Sequence, residues 1–423
     1  MREQCENKLT KKSWTYYNLL VKVITDYLKK DLSRLELDSW EEIRCAYIEQ
    51  ATAIVRNDWQ SPTYLSSLEN QAGRRKGTII ANINDYTRDR HDLAREYEKS
   101  FASEYLPRLG ISKIEPFVTS SGMAALMTAI VMLHRRYGVE QKIMVGKHSY
   151  FQNWELLSQS FTQVISFDEK NKAEWSRLIE QYKPRAIFVD TLCNDPELVV
   201  PPIMAIAKYL RTKVKKETCL VVDNSLLSIG FPWKDLVGLR SRKLQIVGWE
   251  SLNKYYQFGL DRVTGGVIWG TGKLANELFQ ARMHAGTILS DVGVAMLPSP
   301  NAKILQRVLS RVEDNRKMLL TSLGSRGVGA ESNYVFNGAQ VVIKFEKMKS
   351  YFQLQQLIRR MIKRAKKDGL QLAAGTSFGL PTTRVYVTAR QTEYVKMFLR
   401  ISVGVEDTSE MKRLVKIITE VLQ

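Results

Sequence analysis

Two short apolar runs, CLVVD at 219–223 and LQIVGW at 244–249, stand a helix's length apart, and Ser251-Leu252-Asn253-Lys254 follows the second directly. Buried strands joined by helix-length connections are the pattern of a parallel sheet, because each crossover lays a helix on the sheet's face. The pattern continues outward in both directions. PFVT (116–119), KIMVG (142–146), TQVISF (162–167) and AIFVD (186–190) precede the pair, and TGGVIWG (264–270) follows it. The expectation is an α/β domain with a mostly parallel central sheet flanked by helices on both faces.

Around that core the chain divides by its punctuation. Tyr17, Leu20, Val21, Val23, Ile24, Tyr27 and Leu28 recur near helical spacing, and Asn57-Asp58 and Ser61-Pro62 close the stretch, so residues 1–62 read as a helical N-terminal segment. The α/β domain spans 63–298, with 63–85 as an irregular, basic lead-in suited to an arm lying on a partner. After Pro298-Ser299-Pro300, Ala302 to Leu323 reads as a long amphipathic helix. AQVVIKF and RVYVTA then read as strands among helices, so 299–423 is a smaller C-terminal α+β domain.

Three places along this frame carry chemistry. Thr119-Ser120-Ser121-Gly122-Met123 follows a strand and opens a helix, where free backbone N–H groups and the helix dipole make an anion site; ordinary helix capping is the competing reading. Asp223 ends a strand on the side where parallel sheets bind ligands. It is suited to keeping a pyridine nitrogen protonated, to capping a helix or to holding a metal. No His or Glu stands near it at metal-ligand spacing, so a metal is the least favoured of these. Lys254 projects from another strand end, and a lysine in a low-dielectric site beside cations loses basicity and can condense with an aldehyde. Each signal alone is weak. Their order along the chain gives them weight.

These motifs resemble the Cys/Met metabolism family of pyridoxal-phosphate enzymes, of the cystathionine γ-synthase and methionine γ-lyase type. The likeness runs from about Tyr86 to Asp407. SSGMAA is similar to the family's phosphate turn, VVDNS to its pyridine-binding strand, SLNKYY to its lysine stretch and RISVGVED to its closing motif. The resemblance implies a divergent member with a fold-type-I architecture and pyridoxal 5'-phosphate held as a Schiff base on Lys254. It further implies a phosphate site formed by Ser121, the N–H groups of Gly122 and Met123, and the hydroxyl of Ser251. Asp223 would pair with the ring nitrogen, Tyr150 would stack on the ring and carry protons, and Asn194 would contact the ring hydroxyl, with Asn253 beside the lysine. Tyr86 and Arg88, in DYTRDR, would reach the phosphate of a neighbouring subunit. That makes the smallest active unit a homodimer, or a homotetramer built from two. Arg400 would bind the substrate carboxylate through its fork of donors, with Ser377 in the same pocket.

Several positions depart from the family pattern. Asn253 replaces the usual threonine, His91-Asp92-Leu93 replaces Asn-Pro-Thr, FGLD replaces a glycine-histidine-serine run while keeping Asp261, and the glycines expected after Tyr150 are missing. The departures gather on the substrate side.

The implied activity acts on a small amino acid. Lys254 removes the α-proton to give a quinonoid carbanion, from which a β- or γ-substituent on a C–S or C–O bond is eliminated or replaced, as in transsulfuration-type lyases and transferases. The alternatives are another outcome on the same cofactor (transamination, racemisation or a coupling step in specialised metabolism) and, from a different class, a non-catalytic basic binding protein on a degenerate enzyme fold. Retention of Lys254, Asp223 and Arg400 together speaks against the last.

Bulk properties set the outer bounds. Of 423 residues, 44% are hydrophobic and 25% charged, a balance that excludes wholesale disorder. The net charge of +19 is spread over KKSW, GRRKG, KVKK, RSRK and KRAKK between apolar segments, which reads as a solvated basic surface and not a nucleic-acid footprint. Cys5, Cys45, Cys193 and Cys219 show no CxxC spacing, and MREQCENKLTKK has no apolar core, so a reduced, cytoplasmic protein is expected. No apolar run approaches the roughly 18 to 20 residues that span a bilayer, so no membrane partner is expected.

Overall fold

The computed structural model describes residues 92–106, 114–261, 263–347, 349–388 and 397–423. The N-terminal helical segment, the arm-like lead-in, Tyr86 and Arg88 lie outside them.

Helix α1 (Asp92–Tyr105) leads into β1 (Pro116–Thr119), α2 (Gly122–Tyr137), β2 (Lys142–Gly146), α3 (Phe151–Ser160), β3 (Gln163–Phe167), α4 (Lys172–Tyr182), β4 (Ala186–Asp190), α5 (Ile203–Lys213), β5 (Thr218–Asp223), α6 (Trp233–Gly238), β6 (Leu244–Ser251) and β7 (Gly266–Gly270). The seven strands form one sheet in the order β1-β7-β6-β5-β4-β2-β3. Strands β3, β2, β4, β5 and β6 pair in parallel, while β7 pairs antiparallel with both β6 and β1. The sequence pattern gave no direction for β7. Its reversal follows from the connection: among the described residues of 252–265 there is only a short 3-10 turn, Tyr255–Gln257, and the chain returns beside β6 without crossing the sheet's face.

Alternate residues of the central strands feed opposite faces, as strand geometry demands. Ile143, Val145, Phe188, Val221 and Val247 pack on one side with Leu126, Ala129, Ile130 and Leu133 of α2 and with Leu278 of α7 (Leu274–Ala285). On the other side Met144, Ile187, Val189, Leu220, Val222 and Ile246 pack with Phe101 of α1 and Ile206 and Leu210 of α5. Burial on both faces explains why these strands read as unbroken apolar runs.

After α8 (Asp291–Ala295), helix α9 (Ala302–Leu323) begins at Asn301, whose Oδ1 accepts the Ile304 N–H at 3.0 Å. Its 22 residues span about 33 Å. The first half packs Leu305, Val308 and Val312 into the core of the large sheet, and the last turns place Leu319 and Leu323 in a second core. That second core belongs to β8 (Gly327–Gly329), β9 (Gln340–Ile343), α10 (Tyr351–Lys367), β10 (Ala373–Ala374), β11 (Arg384–Thr388), β12 (Phe398–Ser402) and α11 (Thr408–Leu422). Its sheet runs β10-β11-β12-β9-β8. Val385, Val387, Leu399 and Ile401 face α10 and α11, so strand alternation turns Arg384, Tyr386 and Arg400 to the opposite face. Among the described residues no helix is long and apolar enough to cross a membrane.

Candidate active site

The carboxyl ends of β4, β5 and β6 meet the N-terminus of α2, and what each strand ends in decides the chemistry available there. Ser121 caps α2: its Oγ accepts the Ala124 N–H at 2.9 Å, while the N–H groups of Gly122 and Met123 belong to the first turn, where no intrahelical acceptor exists. Gly122 lies against the end of β6, and a Cβ there would sit 3.0 Å from Ser251 Cβ. The glycine thus lets the phosphate-type turn and Ser251 converge.

Asp223 ends β5 in register with Asp190 at the end of β4. Asp223 Oδ1 accepts the Ser225 N–H at 2.9 Å, and Oδ2 accepts from Asn153 Nδ2 at 3.3 Å. Asp190 Oδ2 accepts the Tyr150 N–H at 2.9 Å and so fixes the start of α3. Burial raises the pKa of both carboxyls, and their mutual repulsion adds to the rise at Asp190; the N–H donors and the Lys254 charge pull Asp223 back only in part. Two adjacent carboxyls, Asp190 buried and Asp223 half-buried, with one nearby ammonium are short of positive charge. A protonated pyridine nitrogen would supply it.

Lys254 follows β6. Its Nζ donates to Ser377 Oγ at 3.3 Å and lies 5.1 Å from the centre of the Phe378 ring. Desolvation lowers the amine's pKa; Arg400 and Arg384 push the same way, against Asp261 and Asp223. The loop that presents Ser377 fits closely. Gly379, at φ +75°, approaches so tightly that a Cβ would lie 2.6 Å from the Lys254 carbonyl carbon. Asn253 turns away from this cleft, its Oδ1 accepting the Gly265 N–H at 2.9 Å.

From the second sheet comes Arg400, 4% exposed. Nη1 donates to Asn194 Oδ1 at 2.6 Å and Nη2 to the Thr376 carbonyl, while Nε is buried with no hydrogen-bond partner among the described residues. Burial lowers its pKa to about 10, still well above neutrality, so the guanidinium remains charged. Tyr150 stands between the two halves. Its hydroxyl donates to Gln152 Oε1 at 2.9 Å, and burial together with the Asp223 charge holds its proton more tightly than usual, although Arg400 opposes.

Of the positions singled out from sequence, Ser121, Gly122, Met123, Tyr150, Asn194, Asp223, Ser251, Asn253, Lys254, Ser377 and Arg400 fall on the elements just described. Asn194, expected at a ring hydroxyl, has its Oδ1 on Arg400. Asp190, Asn153, Ser225 and Phe378 were not singled out. AIFVD and CLVVD end in the same residue type, so the pairing of Asp190 with Asp223 is legible wherever the two runs form neighbouring parallel strands.

The architecture is that of a fold-type-I pyridoxal-phosphate enzyme. The family model for Cys/Met metabolism PLP-dependent enzymes matches residues 60–299, and the chain belongs to that family. Two solved structures share the fold. Cystathionine gamma synthase from Xanthomonas oryzae pv. oryzae, in complex with cystathionine, superposes with a TM-score of 0.65 at 16% identity, covering 82% of this chain and 89% of that one. The metB protein of Corynebacterium glutamicum gives 0.65 at 21% identity, over 86% and 92%. A curated relative, the bifunctional enzyme flvA of Aspergillus flavus, is 27% identical over 307 residues, 68% of this chain and 36% of its own length. The chain thus spans about a third of that relative.

The residues present fit the cofactor. The Gly122–Ser251 contact leaves little room for a Cβ beside the free N–H groups, the two carboxyls Asp190 and Asp223 share the single ammonium of Lys254, and Arg400 Nε has no acceptor among the described residues.

Proposed function

We propose that this enzyme eliminates or replaces a side-chain substituent, on a C–S or C–O bond at Cβ or Cγ of a small amino acid. The observation that supports this reading best is the convergence on one cleft of an amine of lowered basicity, Lys254, a half-buried carboxyl, Asp223, and a buried guanidinium with a free donor, Arg400. Lys254 would hold pyridoxal phosphate through its Nζ. The N–H groups of Gly122 and Met123, with Ser121 and Ser251, would hold the phosphate, and Asp223 the ring nitrogen. When bound, the cofactor supplies an electron sink for the charge left on the substrate's α-carbon.

The chain's own residues supply the rest. Arg400 binds the α-carboxylate through Nε and its fork, and Asn194 and the Thr376 carbonyl hold that fork in one orientation. Lys254 moves the α-proton, and its lowered pKa raises the fraction of neutral amine available as a base near neutral pH. Ser377, 3.3 Å from Nζ, keeps the amine directed into the cleft. Tyr150 keeps its hydroxyl proton and can pass it to the leaving group. Tyr86 and Arg88, outside the described residues, are proposed to complete the phosphate site of a neighbouring subunit, which makes the active unit a dimer.

Incubating the purified enzyme with amino acids bearing O-acyl, O-phospho and thioether substituents tests the reaction class. Release of a keto acid and ammonia, or a substituted amino acid when a nucleophile is present, is the expected result. Conversion of the cofactor to its amine form with stoichiometric keto acid, and no loss of the side-chain substituent, would assign transamination instead.

A further inference from the structure

Beside this cleft, at the carboxyl ends of β2, β3 and β4, lies a second group of ionisable side chains that the proposed chemistry does not use. His148 belongs to the turn after β2, Asp168 and Glu169 follow β3, and Asp195 lies in the loop after β4. His148 Nδ1 lies 2.8 Å from Asp195 Oδ2. With the ring's proton on Nδ1 and donated to that carboxylate, the Nε2 lone pair faces the other way, the arrangement that orients histidines toward metal ions. Nε2 is buried with no hydrogen-bond partner among the described residues, and Asp168 Oδ1 lies 3.9 Å from it.

Glu169 closes the group. It is 0% exposed; its Oε1 accepts the His148 N–H at 3.1 Å, while Oε2 has no partner among the described residues. A Cβ on Gly146 would lie 2.1 Å from Oε1, so a glycine at that position is what lets the carboxylate fold inward. Ligand atoms of His148, Asp168 and Glu169 all lie within 4.8 Å of one another. Burying a carboxylate oxygen with neither donor nor cation is costly, and the exposed ammonium of Lys147, 3.6 Å from Asp168 Oδ2, lies at the rim.

We propose that His148, Asp168 and Glu169 bind a divalent transition-metal ion, with Asp195 orienting the histidine. One imidazole and two carboxylates suit Zn2+ or Mn2+, with water completing the shell. Tetrahedral ligands at about 2.0 to 2.1 Å stand roughly 3.3 Å apart, so the group contracts by about 1.5 Å at most on binding, within reach of the partly exposed Asp168 side chain. The ion would fasten the turn carrying Tyr150, two residues from His148, to the loop after β3, while the His148–Asp195 contact ties that turn to the loop carrying Asn194. It is a positioning element beside the active site, and the proposal stands whether or not the elimination reading holds.

The test uses chelator-treated holoenzyme dialysed against Zn2+, with bound metal read by plasma mass spectrometry and affinity by calorimetry; Co2+ replaces Zn2+ for absorption spectra. About one equivalent per chain is expected, with Co2+ d–d bands and no thiolate charge-transfer band. His148→Asn and Asp168→Asn should each lose the stoichiometric ion while keeping the visible cofactor band. Asp195→Asn should bind about 10- to 100-fold more weakly. If His148→Asn fails to fold, Asp168→Asn carries the test. Absence of stoichiometric binding in the folded wild type, retention of the ion in either ligand variant, or a thiolate signature overturns the proposal.

Discussion

Arg400→Ala isolates the group assigned to the substrate carboxylate. The side chain is 4% exposed, and its guanidinium is anchored by Asn194 Oδ1 at 2.6 Å and by the Thr376 carbonyl, with Nε left for a ligand. Truncating one partner of a buried, hydrogen-bonded charge pair typically costs about 2 to 5 kcal/mol, which corresponds to roughly 30- to 5000-fold in affinity. The variant should lose amino-acid binding by a factor in that range, followed as perturbation of the visible cofactor spectrum on titration. Cofactor affinity should change by less than about tenfold, because the phosphate turn and Asp223 lie on the other sheet. Two acceptors also lose their donor, so the fold should weaken by about 1 to 3 kcal/mol. Arg400→Lys separates charge from geometry: it restores a cation without the fork and should recover only part of the affinity. Equal losses of cofactor and amino acid, or an unchanged amino-acid affinity, would refute the assignment.

Asp223→Asn should bind pyridoxal phosphate more weakly and turn over slower by orders of magnitude, since a neutral amide no longer holds the ring nitrogen protonated; equal rates for variant and wild type would remove Asp223 from the site. Glu250, 1% exposed and accepting from Tyr256 Oη at 2.8 Å, has its pKa raised to about 8, chiefly by burial. A raised folded-state pKa stabilises the protein fully below the unfolded value of about 4.5, and that stability is lost as pH rises through about 8. Glu250→Gln should therefore flatten the fall in thermal midpoint between pH 4.5 and 8, and an identical pH profile in both proteins would contradict a buried neutral carboxyl.

Much of the fold was legible because burial on both faces leaves a signature that local sequence preserves. CLVVD and LQIVGW form adjacent parallel strands, largely buried, and α9 is amphipathic over the same span, Ala302 to Leu323, that periodicity marks. The direction of β7 was not legible, since GVIWG has the same apolar character whichever way it runs. Lys254, Asp223 and Arg400 were within reach of motif order. Asn153 was not, because only the packing of α3 beside β5 brings its amide to Asp223. The His148 group was hidden for a similar reason: its members follow three different strands, and no spacing along the chain marks them.

Lys254 is the residue proposed to carry pyridoxal phosphate. The direct measurement is borohydride reduction of the purified holoenzyme, followed by proteolysis and mass spectrometry of the labelled peptide. The expected result is loss of the visible absorption band, a single pyridoxyl-phosphate adduct on Lys254, and neither adduct nor turnover in Lys254→Ala. An adduct on another lysine, or full activity in Lys254→Ala, would contradict it.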